Sequence, residues 1–210
     1  MTTTVDPAFW DRLADEYSKK PVDNPEAWQA KLRIHKALMT GTERVLDIGC
    51  GTGSLCLELA PHVAAAHGLD LSPEMVRIAR DKAKAAGADH VRFTAGTLDA
   101  LDDPPASYEG VSAYSLLHLV PDLDATLARL FELCTPGGTF VSSTVVLGDS
   151  WVPYGLVLTA MKWAGKAPDV WSLKRADLMA RIEAAGFVDL QTPDVGASSQ
   201  TLYLVARKPA

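Results

Sequence analysis

From Arg44 onward, short apolar runs alternate with segments in which apolar residues recur at helical spacing. RVLDIG is a short apolar run, SLCLELA has a helical pattern directly after a group of glycines, and VAAAHGLD is a second apolar run that ends in an acid. Short runs bounded by turn residues are typical of buried strands. A strand, a helix and a strand within about thirty residues predict a βαβ unit.

The same alternation continues to residue 147. SPEMVRIARDKAKAAGA predicts a helix with Ser72 as N-cap, Pro73 as its first residue and Gly87 as its stop. HVRFTA, YEGVSAYSLL and GGTFVSSTVVL predict the third, fourth and fifth strands, with a helix over LDATLARLFELC before the fifth. Alternating strands and helices indicate a parallel sheet with helices on both faces.

The two ends of the chain depart from this alternation. The N-terminal residues have helical patterns, and after residue 147 the alternation stops in a segment that holds three of the five tryptophans. LKRADLMARIEAAGF then predicts a helix. The last strand candidates, FVDLQ and TLYLVARK, are joined by a polar loop without a helix, which indicates an antiparallel pair at a sheet edge.

We therefore predict a single α/β domain over residues 1–210. Its sheet is doubly wound, mostly parallel and seven-stranded, with an antiparallel C-terminal strand pair. Its predicted parts are a helical leader at 1–40, a cofactor-binding core at 41–147, a helical lid insertion or substrate cover at 148–172, and a C-terminal helix and strand pair at 173–210.

Composition narrows the class of partner. The formal net charge is −6, so the chain lacks the basic field that holds a phosphate backbone, and a nucleic-acid partner is not expected. Three cysteines without a CxxC spacing favour buried thiols in a reducing compartment over disulfides or a metal site: Cys50, Cys56 and Cys134. No signal peptide or membrane span is recognisable, and we predict a cytoplasmic protein.

The candidate chemistry lies in VLDIGCGTG at residues 45–53. Asp47 is followed by glycines at every second position: Gly49, Gly51 and Gly53. One interpretation is a tight turn, since glycine reaches backbone conformations closed to other residues. The other is a loop without side chains, against which a ligand lies directly on the backbone. Ser54 stands where a dinucleotide fingerprint requires its last glycine, which disfavours a nicotinamide oxidoreductase.

Five ordered motifs resemble the class I S-adenosylmethionine-dependent methyltransferase family. After the glycine loop come GLDLSPEMVRIAR, VRFTAGTLDAL, YSLLHLVPD and LCTPGGTFVSS, which are similar to the family's second to fifth motifs and together extend over residues 44–145. The resemblance implies S-adenosyl-L-methionine as cofactor, no metal, and methyl transfer to a small-molecule acceptor. A protein or tRNA acceptor, and cofactor binding without transfer activity, remain alternatives.

The resemblance also assigns residues to the cofactor. The three glycines would lie against its amino-acid part and ribose, Asp47 would accept from its ammonium group, and Asp70 would accept from both ribose hydroxyls. Tyr17 resembles a tyrosine that many small-molecule members place over the cofactor. The remaining assigned positions are Leu71 on one adenine face, Thr97, Leu98 and Ser115.

One assigned position departs from the family pattern. Thr97 stands where the family usually has an acid that accepts from the adenine amino group. A threonine hydroxyl can accept one hydrogen bond but brings no charge. Contacts through Thr97, through the backbone of Leu98 and through Asp99 all remain open.

His118 and several aromatic residues are the candidates on the acceptor side. His118 follows the fourth strand, where it is either a wall of the pocket or a general base whose pKa lies near the working pH, so that turnover rises with pH through the histidine range. We assign Trp151, Tyr154 and Trp163 to the substrate pocket. Lys31 is predicted to be a solvated charge, and His35 to have a surface or packing role.

Overall fold

The computed structural model describes residues 7–150 and 169–210. Within them the helices are α1 (Ala8–Lys19), α2 (Pro25–Ala37), α3 (Ser54–Leu59), α4 (Pro73–Ala85), α5 (Leu123–Leu133) and α6 (Arg175–Ala184). The strands are β1 (Arg44–Ile48), β2 (Ala65–Asp70), β3 (Val91–Ala95), β4 (Tyr108–Tyr114), β5 (Cys134–Val145), β6 (Val188–Gln191) and β7 (Thr201–Arg207). Single 3₁₀ turns lie at Ala60–His62 and Leu98–Ala100.

All seven strands form one sheet in the order β3-β2-β1-β4-β5-β7-β6. The pairs among β1 to β5 are parallel, whereas β7 runs antiparallel to both β5 and β6. The predicted doubly wound, mostly parallel sheet is therefore confirmed, including the antiparallel C-terminal pair. Most of the predicted lid insertion at 148–172 lies outside the described residues. Strand order reverses between β1 and β4, and in open α/β sheets ligands bind beyond the carboxyl ends of the strands at such a point.

Helices cover both faces of the sheet. On one face α5 and α6 pack on the central strands, and the rings of Phe140 and Phe187 stack with their centroids 4.8 Å apart. On the other face the first strands pack against α2, α3 and α4 through residues such as Leu32, Cys56 and Val76. No helix in the described ranges is long and apolar enough to cross a membrane.

The N-terminal helix α1 is packed against α4. Ala14 is buried with Met75 and Ile78, which both lie on α4. The Ser72 hydroxyl donates to a carboxylate oxygen of Asp11 and accepts from the Met75 amide, so Ser72 is the predicted N-cap of α4. The leader is thereby attached to the helix that begins directly after β2.

Strand β4 ends three residues earlier than YEGVSAYSLL predicts. Its last residue is Tyr114, and the next residue, Ser115, has a φ of +54°. This left-handed conformation turns the chain, and the Ser115 amide donates to the Ser143 carbonyl at 2.7 Å. Residues 115–117 therefore form a rim at the carboxyl end of β4.

Candidate functional site

The glycine loop is a tight turn between β1 and α3. Its three glycines all have positive φ, which L side chains rarely adopt: Gly49 at +66°, Gly51 at +52° and Gly53 at +79°. The amides of Gly49 and Cys50 donate to the Leu69 carbonyl at 2.7 and 3.1 Å, which ties the loop to β2. The tight-turn interpretation therefore applies to all three glycines.

Two of these glycines are also required by packing. A Cβ at Gly53 would lie 2.6 Å from the Phe93 ring and 2.9 Å from the Ala79 side chain, and a Cβ at Gly49 would lie 2.8 Å from Leu116. Both distances at Gly53 and the one at Gly49 are shorter than real Cβ contacts. The absence of side chains here allows β3, α4 and the β4 rim to approach the glycine loop closely.

Gly51 is different, because a Cβ there would make only one ordinary van der Waals contact. The nearest atom to its hypothetical Cβ is Cε1 of Tyr17, at 3.9 Å. Tyr17 lies on α1 and is 51% exposed. Burial of part of its ring, with the negative charge of Asp70, raises the pKa of its phenol. Tyr17 thus lies beside the one loop glycine that has room for a side chain, and its contact with the cofactor stays a prediction.

Asp70 lies at the end of β2 with both oxygens in fixed positions. Its Oδ2 accepts from the Gly51 amide at 2.8 Å and its Oδ1 from the Ser72 amide at 2.9 Å. Burial raises its pKa, and the charge of Asp11 adds to this, while the two amides act in the opposite direction. Each carboxylate oxygen keeps a further lone pair, which fits the two ribose hydroxyls. Leu71, directly after it, is half-buried.

Asp47 lies beneath the loop and is 3% exposed. Its Oδ1 accepts from the Ser112 hydroxyl at 2.7 Å, and the Cys56 sulfur lies 3.9 Å from its Oδ2. Burial raises its pKa to about 7, with a contribution from the charge of Asp70. Within residues 7–150 and 169–210 no cationic side chain forms an ion pair with Asp47. A buried acid without a cation fits an ammonium group in the pocket.

The residues predicted to contact adenine lie beside Asp70. The Gly96 amide donates to the Asp70 carbonyl at 2.9 Å, which places the following turn at the same edge of the sheet. Thr97 and Asp99 are exposed, and Leu98 between them packs against the core. The three possible contacts to the adenine amino group are thus adjacent, and each stays a prediction.

At the β4 rim, Ser115 is exposed and His118 is buried at 8% exposure. The His118 carbonyl accepts from the Trp171 amide at 2.7 Å, and its Nδ1 has no partner in the described part of the chain. Burial lowers the pKa of its ring to about 4. The expectation of a pKa near the working pH is therefore wrong: the imidazole is neutral, and its role stays a prediction. Three predicted substrate residues lie outside the described ranges: Trp151, Tyr154 and Trp163.

A polar surface under α2, which we name the rim wall (Lys31, His35, Tyr114, Ser143 and Tyr203), was missed by the sequence reasoning. The Lys31 ammonium donates to the Ser143 hydroxyl at 2.8 Å, and the Tyr203 hydroxyl donates to the Lys31 carbonyl at 3.2 Å. The Tyr114 hydroxyl lies 3.3 Å from Nδ1 of His35 and 3.4 Å from the Tyr203 hydroxyl. The prediction that Lys31 is a solvated charge is wrong, because the α2 face that carries it packs on β5 and β7.

Gly68 was also missed. A Cβ on this β2 residue would lie 2.4 Å from the Phe93 ring and 2.8 Å from the Cys50 sulfur. A glycine inside a strand is a sequence signal for such close approach, so this position could have been found. In the described ranges no three His, Cys, Asp or Glu side chains form a group that could hold a metal ion.

A reversed seventh strand, a glycine turn after β1 and an acid at the end of β2 that bonds to that turn define a Rossmann-like methyltransferase. A family profile described as a methyltransferase domain matches residues 45–138. An uncharacterised methyltransferase of Mycobacterium tuberculosis H37Rv is 31% identical over 164 residues, which are 71% of this chain and 81% of that protein. The chain belongs to the class I S-adenosylmethionine-dependent methyltransferases, and S-adenosyl-L-methionine is its cofactor.

Two further similar proteins have named reactions. A ubiquinone biosynthesis O-methyltransferase of Paracidovorax citrulli is 33% identical over 103 residues, which are 49% of this chain and 43% of that protein. Phosphoethanolamine N-methyltransferase 2 of Haemonchus contortus, solved in complex with S-adenosyl-L-methionine, superposes with a TM-score of 0.72 at 17% identity, over 87% of this chain and 53% of that chain. The second likeness concerns the fold alone.

Proposed function

We propose that this methyltransferase acts on a small-molecule acceptor that binds at the rim formed by the carboxyl ends of β4 and β5. The observation that carries the proposal is the position of Tyr17, whose ring covers Gly51 from the chain's own leader. A glycine loop covered in this way favours an acceptor small enough to enter beside the cover. The net charge of −6 and the name of the Paracidovorax citrulli relative, a ubiquinone biosynthesis O-methyltransferase, support the same conclusion.

Several of the described residues would each contact a different part of the cofactor. Asp70 would accept from the ribose hydroxyls, the Gly51 backbone would lie against the cofactor, and Asp47 would balance its ammonium group from below. Thr97 and Leu98 would contact the adenine. When bound, S-adenosyl-L-methionine supplies a methyl group that its sulfonium has already activated.

The remaining task of the chain is to align the acceptor and exclude water. Tyr17 and α1 would cover the bound cofactor from the solvent side. On the acceptor side, the neutral ring of His118 is able to accept a proton from a hydroxyl or ammonium group of the acceptor, provided that it lies within hydrogen-bond reach. With an acceptor that is already ionised, no base is needed, and His118 would be a wall of the pocket.

Release of S-adenosylhomocysteine by the purified protein tests this proposal. We would compare pools of small metabolites with bulk tRNA and with a mixture of unmodified proteins, and use the Gly51→Val variant as the matched background because its side chain fills the space under Tyr17. We expect release above this background only with small molecules. Release only with tRNA or only with proteins would overturn the small-molecule assignment.

A further inference from the structure

Lys31 reaches the rim where the acceptor is proposed to bind. Its ammonium donates to the hydroxyl of Ser143, a β5 residue that is 4% exposed. The carbonyl of the same serine accepts from the Ser115 amide, the first residue of the β4 rim. Lys31 itself is half-buried on α2. Ser143 therefore connects the ammonium group to the turn that ends β4.

Lys31 has no counterion in the described part of the chain. No Asp or Glu there lies within ion-pair distance of its ammonium, and burial is the cause that lowers its pKa. Lys36, further along the same helix, instead pairs with Glu58 at 2.8 Å. A half-buried ammonium with one bond to a hydroxyl keeps two further N–H donors. Such a cation is stabilised by an anion that approaches from the open side.

The other titratable groups of the rim wall are neutral. Burial lowers the pKa of His35 to about 4, raises that of Tyr203 to about 12, and raises that of Tyr114 well above its ordinary value. The charge of Asp47 contributes to the raised pKa of Tyr114, but its carboxylate accepts from Ser112 and forms no ion pair with Lys31. Lys31 is thus the charged member of the rim wall. An uncharged acceptor would leave this charge unpaired.

We propose that Lys31 and Ser143 bind a carboxylate of the methyl acceptor, so that the enzyme selects acidic small molecules. This inference rests on the proposed function. The Ser143 hydroxyl accepts from Lys31 and retains its own hydrogen, so the pair offers two kinds of donor to the two oxygens of one carboxylate. A phosphate group typically takes more donors, such as an arginine fork or a helix N-terminus, whereas this pair offers one ammonium and one hydroxyl.

Titration calorimetry on protein saturated with S-adenosylhomocysteine tests the proposal. The probes are 4-hydroxybenzoate, 4-hydroxyphenylacetate and 4-hydroxycinnamate, each compared with its primary amide. We expect at least one carboxylate to bind about tenfold or more tightly than its amide, as for other charge-assisted hydrogen bonds. Lys31→Met should remove this preference and Lys31→Arg should retain most of it. Lys36→Met is the matched control and should leave the preference unchanged.

Two results would overturn the proposal: no carboxylate is preferred over its amide in the wild type, or Lys31→Met keeps the preference. If Lys31→Met does not fold, we would instead measure the pKa of Lys31 by NMR on wild-type protein labelled with ¹³Cε-lysine. Addition of 4-hydroxybenzoate should then raise the pKa of Lys31, and an unchanged value counts against the proposal. The affinity for S-adenosylhomocysteine is measured in the same preparation, so failure of cofactor binding is distinguished from failure of acceptor selection.

Discussion

The backbone amide of Gly51 donates a 2.8 Å hydrogen bond to Oδ2 of Asp70. This bond joins the turn after β1 to the end of β2, so the conformation of the loop and the orientation of the carboxylate depend on one contact. The Ser72 amide fixes the other oxygen at 2.9 Å. Asp70 is therefore held in place by the backbone before a ligand binds, which lowers the entropic cost of binding.

Replacement of Asp70 by alanine should weaken cofactor binding. Charged hydrogen bonds are worth about 1.5–3 kcal/mol, so we expect the affinity for S-adenosylhomocysteine to fall roughly tenfold to a hundredfold. Calorimetry with a parallel thermal melt measures the effect on folded protein. Asp89→Ala, an exposed acid before β3, is the control. Equal affinity in Asp70→Ala and wild type would refute the assignment of this acid.

The pKa of Asp47 predicts how stability depends on pH. Folding raises this pKa to about 7, above the value of about 3.9 for an unfolded aspartate. The stabilisation from the protonated acid is therefore complete below pH 4 and is lost as the pH rises towards 7. Relative to Asp47→Asn, the wild type should lose free energy of unfolding between pH 5 and 7 and level off above that. Urea titrations at four pH values measure the difference, and parallel curves would contradict the shift.

Local patterns allowed much of the fold to be predicted. The short apolar runs gave the strands, and Ser72 with Pro73 gave the start of α4, because each signal depends on neighbours in sequence. The sequence places the end of β4 three residues too late, because SLL continues the apolar run. The strand ends earlier because the left-handed Ser115 is stabilised by a hydrogen bond to β5, which is distant in the sequence.

The rim wall could not be predicted for a related reason. Lys31 and Ser143 are 112 residues apart, and their contact exists only because α2 crosses the face of β5. Likewise, the spacing of the glycines does not predict that Gly53 is needed for packing against Phe93 while a Cβ at Gly51 would make only an ordinary contact with Tyr17. Contacts between residues far apart in the sequence determine these roles, so a local sequence pattern does not predict them.

Tyr17 should contribute to cofactor affinity through its ring. Covering an aromatic face is worth about 1.5 kcal/mol or more, so Tyr17→Ala should weaken S-adenosylhomocysteine binding about tenfold. Tyr17→Phe keeps the ring over Gly51 and should bind nearly as the wild type does. Calorimetry on the two variants distinguishes the roles of ring and hydroxyl. An affinity loss of equal size in Tyr17→Phe would show that the hydroxyl, not the cover, is responsible.

His118→Ala should separate binding from turnover. We expect cofactor affinity to be nearly unchanged and turnover of an acceptor found in the screen to fall by about a hundredfold, the low end for a positioned base, because a low pKa makes the ring a weak base. His62→Ala, at an exposed histidine, is the control. A change in KM larger than the change in kcat would instead identify His118 as a wall of the pocket.

The pH profile of the wild type gives a second measurement on the same residue. A base is active above its pKa, and burial lowers that of His118 to about 4. Turnover should therefore show no rise from this histidine between pH 5.5 and 8. An NMR titration of the ring gives the pKa directly. A rise in turnover centred near pH 6.5 that disappears in His118→Ala would contradict the buried, neutral ring.

The two glycines Gly51 and Gly53 should respond differently to the same substitution. Alanine at either position meets a left-handed backbone, which costs roughly 1–2 kcal/mol. At Gly53 the new Cβ also lies 2.6 Å from the Phe93 ring and 2.9 Å from Ala79, and overpacking of this kind costs a further ~1–3 kcal/mol. Gly53→Ala should therefore lose clearly more free energy of unfolding in urea than Gly51→Ala.

Cofactor affinity, unlike stability, should fall more in Gly51→Ala than in Gly53→Ala. In Gly51→Ala the methyl group lies 3.9 Å from Tyr17, so the protein stays folded, but the group enters the space assigned to the cofactor. We expect this variant to lose at least about tenfold in affinity for S-adenosylhomocysteine, the size of one lost charged hydrogen bond. If Gly51→Ala binds normally, the open space under Tyr17 is not the cofactor's. If both variants lose equal stability, Gly51 is a packing glycine like Gly53, and the ligand must approach the loop elsewhere.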